Sequence, residues 1–98
     1  MLERILARLR RLLRDDKYVV TLHALEAMHD DGLTIFDVER CLSVGSIVMR
    51  QWDRGRREWK YLVKGQAAED TAMVVVCKIG RSGRLVIVTV YILEGESQ

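Results

Sequence analysis

Hydrophobic residues follow two different periods along the chain, a helical period before residue 45 and a two-residue period after it. In the first segment, apolar side chains recur at the i, i+3, i+4, i+7 spacing of one helical face. They are Leu2, Ile5, Leu6, Leu9, Leu12 and Leu13. The arginines of this segment fall on the other faces, so the pattern predicts an amphipathic helix over residues 2–14.

Two more helices are predicted between residues 21 and 45. Thr21 is a suitable N-cap for a helix that continues to about Asp30, and Gly32 supplies a left-handed residue after it. Thr34 and Asp37 have the spacing of a capping box. A third helix therefore begins here, and Gly45 ends it.

The two-residue period from Ser46 onward predicts four strands, separated by turn-forming residues. The strands are expected at residues 47–52, 58–64, 72–79 and 85–92, and the third is apolar enough to be covered on both faces. Short connections favour an antiparallel meander. We therefore expect an α+β fold with three N-terminal helices packed on one face of a four-stranded antiparallel sheet.

The last predicted strand has two different faces, because side chains alternate along a strand. Val86, Val88, Val90 and Ile92 form an aliphatic set, which is expected to meet the helices. The other set consists of Leu85, Ile87, Thr89 and Tyr91. Its two hydroxyl groups indicate a less completely covered face, where a site could lie.

The chain of 98 residues, 49% hydrophobic and 31% charged, is long enough for one folded domain. We expect a single domain over residues 1–98, with a basic helical extension at 1–17 and an α+β core at 18–98. No apolar run approaches the length of a membrane span. Cys41 and Cys77 lie far apart in apolar surroundings, which favours buried, reduced thiols in a cytoplasmic protein over a disulfide or a zinc site.

The net charge of +2 conceals a segregated charge pattern. Residues 1–14 carry five arginines against Glu3, for a net +4. Residues 15–45 carry seven acids against two bases, for −5, and residues 46–98 carry nine bases against six acids, for +3. Separate blocks of opposite sign indicate distinct binding surfaces.

Candidate chemistry is carried by scattered polar residues, since the sequence contains no phosphate loop, nucleophile elbow or metal-ligand pair. His23 and His29 are six residues apart and point to different sides of a helix, so no shared metal is expected. The candidate catalytic residues are His23, Lys60, Thr89 and Tyr91, and the candidate phosphate-binding residues are Arg50, Arg54, Arg56 and Arg57. Each also has a purely structural interpretation, as a helix-start residue, a strand residue or a solubilising hairpin charge.

These residue types suit metal-free cleavage of RNA. That reaction needs a group that takes the 2′-hydroxyl proton, cations at the phosphate and an acid at the leaving oxygen. Histidine, lysine or arginine, and tyrosine can fill these roles. The composition permits this chemistry without requiring it.

The order of several short motifs resembles a bacterial family called domain of unknown function 4258. The motifs are His23-Ala24 with Met28 a turn later, Gly32-Leu33-Thr34, Asp37-Val38, Gly45 before the first strand, and the closing run from Val86 to Tyr91. The resemblance covers about residues 19–93. Arginines that are usual in the family are replaced here by Ala27 and Asp31, which implies weaker phosphate attraction beside this helix.

The resemblance implies a fold like that of RelE-type and barnase-like ribonuclease toxins, with His23, Thr89 and Tyr91 at matching polar positions. We therefore expect a metal-independent, cytoplasmic endoribonuclease that needs no cofactor. It would act on RNA, with no direct role for DNA or a membrane, and a cognate antitoxin protein would restrain it. His23 and Tyr91 would exchange protons, Thr89 would orient the site, and Lys60 and the arginines would bind phosphate.

The alternative is a noncatalytic interaction module on the same fold. Its leucine and arginine helix at residues 1–14 would dock a partner protein. The acidic second and third helices would then mark a surface that does not bind RNA.

Overall fold

The computed structural model describes residues 2–94, which form three helices and five strands. In chain order they are α1 (Leu2–Arg14), β1 (Tyr18–Val20), α2 (Leu22–Asp30), α3 (Ile35–Val44), β2 (Ser46–Asp53), β3 (Glu58–Gln66), β4 (Ala72–Ile79) and β5 (Leu85–Ile92). The predicted helix at 2–14 and the predicted strands at 72–79 and 85–92 are confirmed. The strands predicted at 47–52 and 58–64 are slightly longer than expected.

The strands form one mixed sheet in the order β1-β5-β4-β3-β2. The predicted four-stranded antiparallel meander is present as β2 to β5, but the prediction of four strands was wrong by one. β1 pairs in parallel with the start of β5, Tyr18 opposite Leu85 and Val20 opposite Ile87. A three-residue strand shows no periodicity, and its partner lies far along the chain, so no local pattern indicated it.

Helix α1 belongs to the core of the fold. Its residues Leu6, Leu9 and Leu13 are buried, Leu9 completely, among side chains of α2, α3 and the sheet. On another face of α1, the Arg10 guanidinium donates hydrogen bonds to Leu42 O at 2.6 Å and to Gly45 O at 3.0 Å. These bonds satisfy carbonyl groups that the end of α3 would otherwise leave without partners.

The start of α2 is fixed directly on β5. Thr21 Oγ1 accepts a hydrogen bond from Ala24 N at 3.0 Å, which confirms the predicted N-cap, and donates to Val88 O at 2.9 Å. Thr21 N also donates to Ile87 O at 3.1 Å. Gly32, with a φ of +66°, supplies the expected left-handed residue after α2.

A β-bulge at Val88 reverses the side-chain alternation of β5. Val76 pairs with Thr89 whereas the next residue of β4, Cys77, pairs with Ile87, so Val88 is the extra residue. Leu85 and Ile87 before the bulge and Val90 after it lie in the helix-covered core. The expectation that Val86 and Val88 face the helices was therefore wrong, because an unbroken alternation was assumed.

The end of α3 approaches β3 so closely that only glycine fits. A Cβ atom at Gly65 would lie 2.5 Å from Cys41 O and 3.0 Å from Cys41 Sγ, and one at Gly45 would collide with Lys64 O. Backbone therefore packs on backbone at this junction. Within residues 2–94, no helix is long and apolar enough to cross a membrane.

Candidate functional site

One face of the sheet carries three lysines, and no helix of the described residues packs against it. The helices cover the face that holds Val63, Val75, Cys77 and Ile87. Alternation along β3, β4 and β5 places a second set on the opposite side, which we call the lysine face. It comprises Lys60, Leu62, Lys64, Val74, Val76, Lys78, Val86, Thr89 and Tyr91.

Strand register arranges the lysine face in rows. Lys64, Val74 and Tyr91 form one row across β3, β4 and β5, and Leu62, Val76 and Thr89 form the next. Val74 and Val76, at the centre, are only 3% and 9% exposed. Strands β3 and β5 are two spacings apart, about 10 Å, so a Lys64 ammonium and a Tyr91 hydroxyl can both reach a group lying over Val74.

Lys60 and Lys78 each form an ion pair on this face. Lys60 Nζ lies 3.5 Å from Asp53 Oδ2, and Lys78 Nζ lies 2.5 Å from Glu58 Oε1. The Arg56 amide, together with Lys60, holds the pKa of Asp53 below its ordinary value. Lys60 and Lys78 are consequently fixed toward the hairpin end of the sheet, whereas Lys64 lies toward Tyr91.

His23 is exposed and is the second residue of α2. The bond from Thr21 to Val88 O holds the first turn of α2 beside the middle of β5, one residue before Thr89. The fold therefore holds the start of α2 beside β5, whereas the body of α2 packs on the covered side of the sheet, opposite the face that carries Thr89 and Tyr91. Lys60 lies two strands away and below the row of Thr89, so the four predicted catalytic residues do not form a single cluster.

The predicted phosphate-binding arginines divide between two locations. Arg50 pairs across the sheet with Tyr61, a core-facing residue, and its guanidinium lies 4.4 Å from the centre of the Trp59 ring. Arg50 is therefore on the side opposite the lysine face. Arg54, Arg56 and Arg57 are exposed in the turn between β2 and β3.

A second basic turn lies at the same end of the sheet. In an antiparallel meander, the β2–β3 and β4–β5 turns are at one end and the β3–β4 turn is at the other. Arg81 and Arg84, in the β4–β5 turn, are exposed there. The β3–β4 turn carries Glu69 and Asp70 instead. Basic charge is thus concentrated at one end of the sheet, beside Lys60 and Lys78.

Sequence analysis missed Lys64, Lys78 and the pair of arginines in the second turn. Lys64 lies four residues after Lys60 in the same predicted strand, so the period-two alternation of that strand places both on one face and could have indicated Lys64. Lys78 is a lone charge in the apolar run of β4 and is 8% exposed, which is unusual for lysine. The shared end of the two turns depends on strand order, which no local pattern encodes.

Other buried polar groups have structural roles. Asp37 accepts hydrogen bonds from Thr34 N at 2.7 Å and Ala68 N at 2.8 Å. Burial opposes its ionisation, but these amides outweigh that effect and hold the pKa of Asp37 below its ordinary value. Cys41 and Cys77 are free and buried, as predicted, and burial raises their pKa values to about 11 and about 12.

Comparison with known families matches residues 20–92 to a family described as a domain of unknown function, DUF4258. The match runs from the last residue of β1 to the end of β5 and includes His23, the lysine face and both basic turns. The chain belongs to this family. No curated protein and no solved structure matches the chain.

Proposed function

We propose that this DUF4258 member is a metal-independent endoribonuclease and the toxin component of a bacterial toxin–antitoxin pair. The observation that carries the proposal is the lysine face, which combines Lys64 and Tyr91 in one row, Thr89 in the next, and two basic turns at one end. A polyanion that crosses this face would meet Lys64 in the row of Tyr91 and the exposed arginines of both turns at one end, whereas Lys60 and Lys78 are paired with Asp53 and Glu58.

The proposed reaction is transfer of a phosphodiester within the RNA strand. The 2′-hydroxyl loses its proton and attacks the adjacent phosphorus, the bond to the 5′-oxygen breaks, and that oxygen gains a proton. His23 and Tyr91 exchange these two protons, and Thr89 orients the site. Lys64, the nearest lysine to Tyr91 along the strand register, stabilises the charge that develops on the phosphate, and Lys60, nearer the hairpin, binds a neighbouring phosphate. The products are a 2′,3′-cyclic phosphate and a 5′-hydroxyl.

The architecture supports a RelE-like or barnase-like relationship within this proposal. Helices lie on one side of four antiparallel strands, and the polar side chains lie on the other. The protein would work in the cytoplasm, where its RNA substrate and its antitoxin are present. Arg54, Arg56 and Arg57 would hold the strand that leads away from the cleavage point.

Cleavage of a labelled RNA oligonucleotide in the presence of EDTA tests the proposal. The wild type is expected to release a product with a cyclic phosphate end, identified by mass spectrometry. Tyr91→Phe and Lys64→Met should each slow cleavage at least tenfold, the lower part of the range for removal of such groups. Tyr18→Phe, whose side chain packs against the helix-covered core, is the matched control. RNA left intact by the wild type would contradict the proposal.

The alternative function is the noncatalytic module that docks a partner through α1. The structure restricts how this could occur, because Leu6, Leu9 and Leu13 are buried within the chain itself. The exposed residues of α1 include Arg4, Arg8, Arg11 and Arg14, and these would be presented to a partner. Charge reversal at Arg4 and Arg8 would abolish partner capture under this alternative and leave it unchanged under the nuclease proposal.

A further inference from the structure

Strand β2 is the last strand of the sheet and pairs with β3 on one side only. Its apolar side chains are unusually exposed, at 54% for Val48, 50% for Met49 and 46% for Trp52. An edge strand presents a row of main-chain donors and acceptors to its surroundings, and proteins usually protect such edges. Here a bulge at Val48 interrupts the edge, and the stretch beyond it is bordered by apolar side chains on both faces, Met49 on one and Trp52 on the other.

An ordered aromatic pair lies beside this edge. Trp52 and Trp59 occupy opposing positions on β2 and β3, with ring centres 5.1 Å apart and planes at 62°. Trp59 is 38% exposed. The Arg50 guanidinium lies 4.4 Å from its ring centre, within the range of a cation–π contact. Rigid, half-exposed tryptophans are typical of the centres of protein interfaces.

The charge around the edge is unbalanced toward positive. The two acids of the hairpin, Asp53 and Glu58, are occupied by Lys60 and Lys78 on the lysine face. Arg54, Arg56 and Arg57 form no ion pair within residues 2–94. The tip of the hairpin therefore offers three exposed guanidinium groups to a binding partner.

We propose that the outer edge of β2 binds an extended, acidic segment of a partner protein as a sixth strand of the sheet. Main-chain groups of β2 would give affinity, Met49 and Trp52 would receive apolar side chains on the two faces, and the hairpin arginines would pair with acids at one end of the segment. RNA could satisfy the tryptophans and arginines, but it has no backbone that matches a strand edge. The aliphatic Val48 and Met49 also favour a polypeptide.

This inference also rests on the proposed function in one respect, the identity of the partner. If the protein is the toxin, then the acidic strand belongs to the antitoxin. It would cover arginines that RNA requires, so binding of the segment and binding of RNA would exclude each other.

Selection from a displayed library of random twelve-residue peptides tests the proposal without use of nuclease activity. The full chain is the target, and the peptides that it enriches should carry net negative charge and alternate apolar residues. Hydrogen exchange with one such peptide bound should show new protection in β2. Enrichment of neutral or basic peptides, or protection confined to another surface, would overturn the proposal.

Charge reversal at matched sites provides the control. Arg54→Glu with Arg56→Glu should weaken binding of the selected peptide about tenfold or more, since it turns attraction into repulsion at the edge. Arg81→Glu with Arg84→Glu changes the same number of charges at the other turn and should have little effect. Equal loss in both double variants would show general charge attraction and would overturn the assignment to β2. Protection of β2 by a single-stranded RNA oligonucleotide, with no peptide enriched, would overturn it in favour of RNA.

Discussion

On β3 and β4 the residues that point toward the helices are apolar and almost entirely buried, as Val63, Val75 and Cys77 illustrate. The residues that point the other way alternate lysines with valines and a leucine. Burial alone does not distinguish the two faces, because Val74 and Val76 are buried on the lysine face as well. The difference is that the residues over the core on the covered face are apolar, whereas the lysine face carries ionisable and hydroxyl side chains, among them Lys64, Thr89 and Tyr91.

The largest difference in stability between the two faces is expected at two adjacent residues of β5, Ile87 and Val88. Ile87, fully buried among the helices, should lose about 3 kcal/mol of unfolding free energy when it is replaced by alanine, because a cavity forms. Val88→Ala, at the bulge, should cost about 1 kcal/mol or less. Urea denaturation measures both changes. Equal losses would contradict the assignment of faces at the bulge.

The glycine junction on the covered face should be nearly as sensitive. Gly65→Ala places a Cβ against Cys41 O, so β3 or α3 must shift, at an expected cost of about 2–3 kcal/mol. Gly55→Ala is the control, because its Cβ would lie 3.5 Å from the nearest atom, Asp53 Oδ1. Thermal unfolding compares the two variants. A Gly65→Ala protein as stable as the wild type would show that α3 and β3 can move apart to admit a Cβ atom without loss of stability.

Asp37 should make stability depend on pH. Its pKa is lower in the folded state than in the unfolded chain, so its contribution is present above pH 4 and is lost as the pH falls through the folded value. Asp37→Asn should therefore cost about 2 kcal/mol at pH 7 and progressively less below pH 4. Asp30→Asn, at an exposed residue, should cost less than about 0.5 kcal/mol. A pH-independent effect of Asp37→Asn would contradict the role of its charge.

Replacement of Arg57 should give the smallest change in unfolding free energy, and this change should stabilise the protein. The φ of +56° at Arg57 is a left-handed conformation that glycine adopts more readily. Arg57→Gly should thus stabilise the protein by up to about 1 kcal/mol while it weakens binding of RNA or of an acidic partner. Arg54→Gly, at a residue with negative φ in the same turn, should reduce binding without the gain in stability. A destabilised Arg57→Gly would indicate that the arginine side chain supports the turn.

Local patterns predicted most of the fold because they reflect local physics. The leucine spacing of α1, the N-cap at Thr21 and the left-handed Gly32 each depend on a few neighbouring residues. β1 was missed because it is held by contacts with β5 far along the chain, such as that of Thr21 with Val88, 67 positions away. The bulge at Val88 was missed because it is a shift in the pairing of β4 with β5, which the residues of β5 alone do not indicate. The side of the sheet that each β5 residue faces was therefore predicted correctly after the bulge, at Thr89, Val90 and Tyr91, and incorrectly before it.

The candidate site was predicted less completely than the fold. Thr89 and Tyr91 share a face, as the alternation predicted, and Lys60 lies on the same face, although Lys64 is the lysine in the row of Tyr91. Arg50 lies on the opposite face, because the pairing of β2 with β3 sets its direction. Its position beside Trp59 could be inferred only once the hairpin register was known.

The most direct test of the lysine face is the rate of RNA cleavage in EDTA by Tyr91→Phe compared with that of Tyr18→Phe. Both variants lose one hydroxyl group, and only one of those hydroxyls lies on the lysine face. The account predicts that Tyr91→Phe lowers the cleavage rate at least tenfold and leaves the unfolding free energy at the wild-type value. Tyr18→Phe should cleave at the wild-type rate. A Tyr91→Phe protein that cleaves RNA at the wild-type rate would contradict it.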